Sequence, residues 1–227
     1  MRTLAIGDVH GTSAALDALL AVARPTPDDL LIFLGDYVDR GPDTRGVLDR
    51  LLALDWSHRC VFLRGNHELM MTRSRHDRGE LRMWLSVGGK QALRSYGPAA
   101  SLADVPAEHW DFLDDRLVDY HETDTHIFVH ANLHPDLPVD EQPELLLFWE
   151  FLHPNWPVRH YSGKTMVCGH SSQRSGEILD LGTAVCIDTY AYGGGWLTGL
   201  DVDTGRYWQA NVSGKVRTGA LGHARVK

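Results

Sequence analysis

Five short apolar runs of this 227-residue chain end in polar side chains that could hold a metal ion. These side chains are Asp8 and His10, Asp36, Asn66, His130 and His170. Apolar runs bounded by glycine are typical of buried strands in an α/β sheet, and ligands of such sheets gather beyond the carboxyl ends of the strands. Carboxylate, imidazole and amide donors together suit divalent manganese, iron, cobalt or zinc. We therefore expect all five runs to contribute to one metal centre.

The number of donors favours two metal ions over one. Six donors exceed what a single ion with an open position needs, whereas hydrolytic centres with two ions about 3.5–4 Å apart would use them all and share one carboxylate. Asp36 stands centrally in the series and is the natural bridging ligand. Each residue alone could be a turn, a helix cap or a core polar group, but their common position at strand ends favours a metal centre.

The loop 35–41, GDYVDRG, brings further charged groups next to Asp36. Asp39 and Arg40 follow within five positions, and three charged groups cannot all be buried without partners or a metal. The planar guanidinium of Arg40 suits the oxygens of a phosphate group. A local ion pair in a turn is the simpler alternative for Asp39 and Arg40. We expect this loop to combine a metal ligand with a phosphate-binding cation.

The elements that must position these residues alternate between strand and helix. The runs TLAIGD, LLIFLGD (with its strand over 30–34) and CVFLRGN read as strands, and helices are predicted from Thr12 or Ser13 onwards and over 45–54. This βαβαβ order indicates a mostly parallel sheet. Residues 69–118 read as a helical insertion over the site, after which a hairpin and further strands dominate. A single domain is expected to span 1–215, with 216–227 as a flexible tail.

Composition and charge narrow the classes of partner. The formal charge of −8, from 22 basic and 30 acidic residues, argues against a nucleic acid or an anionic membrane as the main partner. No apolar run approaches the roughly 18 residues that cross a membrane. Three cysteines in separate apolar runs are typical of small buried groups in a reducing compartment, and Asp8 comes too early to leave room for a signal peptide. We expect a cytoplasmic protein, and the oligomeric state is not readable.

Together these motifs resemble the signature of the phosphoprotein phosphatase family of metallophosphatases, nearest to its short bacterial and phage-type members. The matching motifs are GDVHG at 7–11, GDYVDRG at 35–41, GNHE at 65–68, HA at 130–131 and GH at 169–170. The first three are specific in combination, and the last two gain weight from them. The resemblance implies an α/β fold in which two mixed sheets pack face to face with helices outside.

The resemblance also implies a role for each matching residue. It assigns Asp8 and His10 to one ion, most plausibly manganese, and Asp36 to the bridge. It assigns the second ion to Asn66, His130 and His170. A hydroxide that bridges the ions would attack phosphorus directly, without a phosphoenzyme.

Three further residues would complete the catalytic centre implied by the resemblance. His67 would protonate the leaving group as general acid, Asp39 would orient His67, and Arg40 would bind the phosphoryl oxygens.

The sequence departs from the family pattern at the second phosphate-binding arginine. That arginine is expected between the HA and GH motifs, near a tryptophan after a leucine run, where this chain reads ELLLFWEFLHPNW without one. Arg159 and Lys164 are the next cations, and Arg159 is the candidate for substrate binding. Tyr190 and Tyr192 follow a later strand and are candidates for an aromatic side chain beside the cleft.

The substrate implied is a phosphomonoester, first of all phosphoserine or phosphothreonine in a protein, with phosphotyrosine as a variant. One relative of this family hydrolyses dinucleoside polyphosphates, so a small phosphoester is the alternative. A basic, aromatic-lined pocket would favour that alternative. A metal-binding protein without catalysis is a third possibility, against which the intact Asp39, Arg40 and His67 argue.

Overall fold

The computed structural model describes residues 1–153 and 159–222 of the chain, and in it short strands alternate with helices. In chain order the strands are β1 (Thr3–Ile6), β2 (Leu30–Phe33), β3 (Arg59–Phe62), β4 (Tyr120–Glu122), β5 (His126–Val129), β6 (Thr165–Cys168), β7 (Leu179–Asp180), β8 (Ala184–Cys186), β9 (Asp188–Thr189), β10 (Trp196–Asp201), β11 (Arg206–Ala210) and β12 (Val216–Ala220). The α-helices are α1 (Ser13–Ala23), α2 (Thr44–Ser57), α3 (Asn66–Arg73), α4 (Arg78–Trp84), α5 (Lys90–Arg94), α6 (Ala107–Asp111) and α7 (Glu144–Phe148).

The strands form two mixed sheets, as expected. The first sheet has the order β12-β11-β10-β1-β2-β3, with β9 paired to β10, and its strands β1, β2 and β3 run parallel. The second has the order β4-β5-β6-β8-β7, with β5, β6 and β8 parallel. Strands β4 and β5 form the predicted antiparallel hairpin. Because both sheets have a parallel centre, the carboxyl ends of their central strands can collect polar groups at one edge.

Alternation of side chains along the strands explains the layers. Leu4 and Ile6 of β1 belong to the core under the helices, whereas Ala5 between them belongs to the core between the sheets. In β5, Phe128 faces the first sheet and Ile127 faces an outer cluster with α7. Successive strand side chains point to opposite faces, so each central strand supplies two apolar layers. The two sheets therefore pack face to face, with helices outside.

The section 69–118 is helical, and it packs against the first sheet. It contains the last part of α3, then α4 to α6, together with π-helical turns at Leu85–Gly89 and Phe112–Arg116. Trp84 and Phe112 from this section are buried in the same cluster as Tyr37 and Phe62. The section thereby reaches the loop that follows β2.

The predicted flexible tail is wrong in its first part. Val216–Ala220 forms β12, which pairs antiparallel with β11 along its length. Alternate side chains of β12 are exposed, so its sequence looks polar although its backbone completes the edge of the first sheet. Residues 223–227 of that predicted tail lie outside the described residues. No helix in the described ranges is both long and apolar enough to cross a membrane.

Candidate metal centre and substrate cleft

Backbone hydrogen bonds bring the ends of the central strands together. The carbonyl of Asp36 accepts from the N–H groups of Val9 and His10 at 3.1 and 2.7 Å, and the Gly169 N–H donates to the His130 carbonyl at 2.8 Å. The six predicted metal ligands therefore lie at one edge of the sandwich. Five of them are at most 7% exposed, and His170 is partly exposed.

Asp36 lies between two histidines, one on each side of its carboxylate. Its Oδ2 is 3.2 Å from His10 Nε2, and its Oδ1 is 3.5 Å from His130 Nε2. The described residues contain two groups of three possible metal donors, and Asp36 is the member common to both. Its position between the groups agrees with the bridging role expected from the sequence.

Second hydrogen bonds fix which ring nitrogen of each histidine carries the proton. His10 Nδ1 lies 2.9 Å from the Val38 carbonyl and His130 Nδ1 lies 2.8 Å from the Leu34 carbonyl. A carbonyl only accepts, so both Nδ1 atoms donate and both Nε2 atoms present lone pairs. His130 Nε2 is also 3.1 Å from Asn66 Oδ1. Lone pairs thus face acceptor oxygens, an arrangement that a cation between them would stabilise.

His170 completes the second group of donors. Its Nε2 donates to the Trp149 carbonyl at 3.2 Å, which leaves Nδ1 as the ligand atom. The ring of His170 meets the ring of His130 edge to face at 5.1 Å. The second group therefore offers nitrogen donors from both histidines beside the Asp36 carboxylate.

Buried negative charge also requires a cation at this edge. Burial raises the pKa of Asp8 well above its usual value, and the neighbouring carboxylates of Asp188 and Asp36 raise it further. Burial opposes ionisation of Asp36 as well, and its pKa falls well below the ordinary value only through positive charge on the nearby His130, His67 and His10, a charge that a bound cation would replace. Within the described ranges, no lysine or arginine forms an ion pair with Asp8 or Asp36. The donor set and its charge therefore fit divalent metal ions.

Asp8 differs in geometry from the other predicted ligands. Its carboxylate accepts the backbone N–H of His170, at 3.2 and 3.0 Å from its two oxygens, and it belongs to neither donor group. Beside His10 and Asp36, the first group contains His67 instead. A Cβ on Gly169 would lie 1.9 Å from Asp8 Oδ1, so only glycine allows this approach. Asp8 stays a predicted ligand at the rim of the centre.

His67 and Asp39 form the buried pair that was expected from the sequence. His67 Nδ1 lies 2.6 Å from Asp39 Oδ2, and both residues are at most 1% exposed. Burial raises the pKa of Asp39 to about 8 and lowers the pKa of His67 to about 3. Both shifts favour a pair without net charge, with one proton between Asp39 and Nδ1 and another on Nε2. His67 Nε2 is buried without a hydrogen-bond partner among the described residues, so it is free to donate to a bound group.

Arg40 lies at the mouth of the centre. Its Nη1 is 2.8 Å from His10 Nε2, and its guanidinium lies over the Tyr192 ring at 4.8 Å. No carboxylate pairs with it among the described residues, so the simpler alternative of an ion pair with Asp39 does not hold. Its charge is available to an anion in the cleft.

A cleft of about 540 Å³ opens beside Arg40 and His170. Among the side chains that line it are Arg174, Tyr192 and the aromatic pair Trp149 and Phe151. Phe151 is 58% exposed, and its ring stacks on His170 at 4.9 Å. Tyr192 lines this cleft, whereas the Tyr190 ring lies 4.8 Å from the Tyr192 ring and 5.6 Å from the Arg174 guanidinium. A substrate contact by Tyr190 stays a prediction.

The structure does not bring Arg159 or Lys164 to the cleft. Arg159 donates to the Gly163 carbonyl at 3.1 Å and lines a separate cavity, and Lys164 pairs with Glu122 at 2.6 Å. Both precede β6, whereas the site lies beyond the carboxyl end of that strand. Arg174 lines the cleft instead, a position that was not predicted from the sequence. Arg174 comes four residues after His170, on the loop that follows the same strand, and this spacing could have predicted its place in the cleft.

Glu68 organises the loop that carries Asp36. Its Oε2 accepts from the N–H groups of Asp36 and Gly65 at 2.8 and 2.9 Å, and its Oε1 from those of Tyr37 and Val38 at 2.8 and 3.2 Å. A Cβ on Gly65 would lie 2.2 Å from Asp36 Oδ1, so glycine lets the two loops meet. From the sequence, Glu68 is expected only to have a supporting or structural role.

Strained backbone concentrates at this edge. Seven non-glycine residues in the described part of the chain have positive φ, and all but Arg24 belong to or adjoin the site. The six at the site are His10, Asp36, Asp39, Arg40, His170 and Tyr190. Such conformations cost free energy and persist where the surrounding structure holds them, as at ligand-binding sites.

Comparison with known proteins agrees with this geometry. The family model described as calcineurin-like phosphoesterase matches residues 1–196. Serine/threonine-protein phosphatase 1 of Salmonella typhimurium is 37% identical over 100 residues, which is 44% of each chain. Serine/threonine-protein phosphatase 2 of Escherichia coli is 40% identical over 85 residues, or 37% of each chain. The matches thus span less than half the length of these relatives.

Solved structures share the fold at lower identity. A crystal structure of a proposed diadenosine tetraphosphatase superposes with a TM-score of 0.66 at 22% identity, covering 96% of this chain and 93% of that one. A cold-active protein-tyrosine phosphatase of a Shewanella species gives a TM-score of 0.62 at 17% identity, covering 96% and 80%. At such identities the likeness shows the fold alone.

Proposed function

This chain belongs to the calcineurin-like phosphoesterase family, and from that premise we propose that it is a phosphomonoester hydrolase dependent on two divalent metal ions. Its substrates are phosphoserine and phosphothreonine in proteins, with phosphotyrosine as a variant. One observation carries the proposal: Asp36 lies between the lone pairs of His10 and His130, next to His67, whose Nε2 has no hydrogen-bond partner among the described residues.

The residues at the strand ends are the proposed ligands of the two metal ions. Asp8 and His10 would hold one ion, Asn66, His130 and His170 would hold the other, and Asp36 would serve both. The ions, with manganese as the proposed metal, would supply positive charge that acidifies water and neutralises phosphate oxygens.

The remaining polar groups act on the substrate itself. Arg40 binds the phosphoryl oxygens, and His67 donates the proton on Nε2 to the leaving oxygen while Asp39 holds its ring. We assign to Arg174 the second cation of the cleft, in place of Arg159. Arg174 lines the cleft with Arg40, and neither forms an ion pair within the described ranges.

A small phosphoester such as a dinucleoside polyphosphate is the second candidate substrate. The observation that favours it is the aromatic lining of the cleft, where the exposed ring of Phe151 could stack on a base and Arg174 could neutralise an additional phosphate. The chain's formal charge of −8 disfavours it slightly.

The test is hydrolysis by chelator-stripped protein titrated with manganese. The substrates are p-nitrophenyl phosphate, a phosphoserine peptide and diadenosine tetraphosphate. Manganese-dependent release of phosphate from the first two supports the proposed function. Cleavage of the dinucleotide alone selects the second candidate, and two bound ions without turnover of any substrate would select a metal-binding protein without catalysis.

A further inference from the structure

Trp84 connects the helical section to the catalytic pair. It ends α4, is fully buried, and directs its indole Nε1 at the carboxylate of Asp39, at 2.9 Å from each oxygen. The same carboxylate is 2.6 Å from His67 Nδ1. The indole N–H and the His67 ring are the side-chain donors that meet this carboxylate among the described residues.

The turn after Trp84 is built against the same loop. Leu85–Gly89 is a π-helical turn in which Gly88 has φ of 140° and accepts the Arg40 N–H at 3.4 Å. A Cβ on Gly88 would lie 2.7 Å from the Arg40 nitrogen and 2.8 Å from Asp39 Cβ. A Cβ on Gly89 would lie 2.5 Å from the Trp84 ring. The two glycines therefore allow close packing of the turn, with Gly88 against Asp39 and Gly89 against Trp84.

Core packing alone does not account for this arrangement. The Trp84 ring fills space in the cluster under the helices, but a phenylalanine ring would supply similar apolar contact. A buried indole N–H needs an acceptor, and a backbone carbonyl would serve. Here the acceptor is the carboxylate paired with His67, and both of its oxygens are equidistant from the nitrogen. That geometry fixes the rotation of the carboxylate about its Cβ–Cγ bond.

We propose that Trp84 is a positioning residue for phosphoester hydrolysis, acting through Asp39 on His67. Its N–H holds Asp39 so that Oδ2 keeps the His67 ring in place, with Nε2 turned toward the bound substrate. The inference rests on the function proposed above. It also gives the helical section a role, because no group of the loop 35–41 donates to this carboxylate.

The test removes one N–H group and compares leaving groups. Trp84→Phe keeps the ring and deletes the donor, so kcat for phenyl phosphate, whose leaving oxygen needs a proton, should fall roughly 10- to 100-fold. The kcat for 2,4-dinitrophenyl phosphate, whose leaving group needs none, should change less than about threefold, and KM should stay constant. Trp110→Phe, in the same helical section with Arg75 over its ring at 4.3 Å, is the matched control and should leave both rates unchanged.

Two results would overturn the inference. One is an equal loss of kcat for both phosphates, which indicates a general structural defect. The other is an unchanged rate for phenyl phosphate. Retained turnover of the dinitrophenyl ester shows that the variant is folded.

A second measurement does not depend on activity. In ¹⁵N-labelled protein, the indole N–H resonance that disappears in Trp84→Phe identifies Trp84. That resonance should show slow hydrogen exchange and should shift in Asp39→Asn, while the Trp110 resonance stays in place. If wild-type protein hydrolyses no phosphoester, the proposed function fails, and an unshifted Trp84 resonance in Asp39→Asn then separately refutes the contact with Asp39.

Discussion

Replacing Glu68 with glutamine should lower the free energy of unfolding by about 2–6 kcal/mol. The Glu68 carboxylate accepts four backbone N–H groups, two on each oxygen. In Glu68→Gln the amide oxygen keeps two of these donors, but the amide nitrogen faces the other two. Each buried donor left unsatisfied costs about 1–3 kcal/mol, which gives the range for two. This is a large part of the roughly 5–15 kcal/mol that stabilises a typical domain.

Urea denaturation followed by circular dichroism measures this loss. The matched control is Glu144→Gln, which breaks an exposed pair with Arg73 at 2.7 Å and should cost less than about 1 kcal/mol. Metal content should fall in Glu68→Gln as well, because three of the four N–H groups belong to the loop that carries Asp36. If Glu68→Gln and Glu144→Gln unfold at the same urea concentration with equal metal content, Glu68 does not hold the loop.

Three further predictions follow from the site and from one distant ion pair. Asp36→Asn should lose one or both metal ions by elemental analysis, and two tightly held ions would rule out bridging. Arg174→Gln should raise KM for a phosphopeptide about tenfold, while Arg159→Gln leaves KM unchanged. A raised KM in Arg159→Gln alone would instead assign substrate binding to Arg159. Burial opposes ionisation of Asp29, but Arg2 and nearby N–H groups hold its pKa well below the usual value. Ionised Asp29 therefore stabilises the fold above about pH 4, and this stabilisation is lost at lower pH. Asp29→Asn should lower the free energy of unfolding by about 1–2 kcal/mol at pH 7, and the difference from wild type should shrink in acid.

The layered fold was predictable because strand period and glycine positions are local signals. Apolar runs ending in glycine identified β1, β2 and β3, and the positions of their polar ends indicated where the donors meet. Strand β12 escaped prediction because an edge strand with one exposed face has the polar alternation of a loop. Its pairing with β11 depends on a partner that the local sequence does not describe.

The metal donors were easier to predict than the substrate contacts. His10 and His130 follow strands whose carboxyl ends meet by topology, so chain position alone brings them together. Arg159 was misplaced because it precedes β6 and lies at the other end of that strand, whereas Arg174 follows it. Trp84 gave no local signal, since a tryptophan in an amphipathic helix is usually core, and its role depends on a turn that carries it to Asp39.

The positive-φ residues connect the stability predictions to the proposed chemistry. Asp36, Asp39 and Arg40 have φ of 52°, 71° and 62° in one short loop, which such side chains rarely adopt. The loop holds this conformation because Glu68 binds its N–H groups and Trp84 holds the Asp39 side chain. Each support can be removed separately, by Glu68→Gln or by Trp84→Phe. Loss of the first should release metal and lower stability together, whereas loss of the second should slow protonation of the leaving group while both ions stay bound. If the two variants instead lose metal and proton transfer to the same extent, the loop is held as a single unit and the roles assigned to Glu68 and Trp84 are not separable.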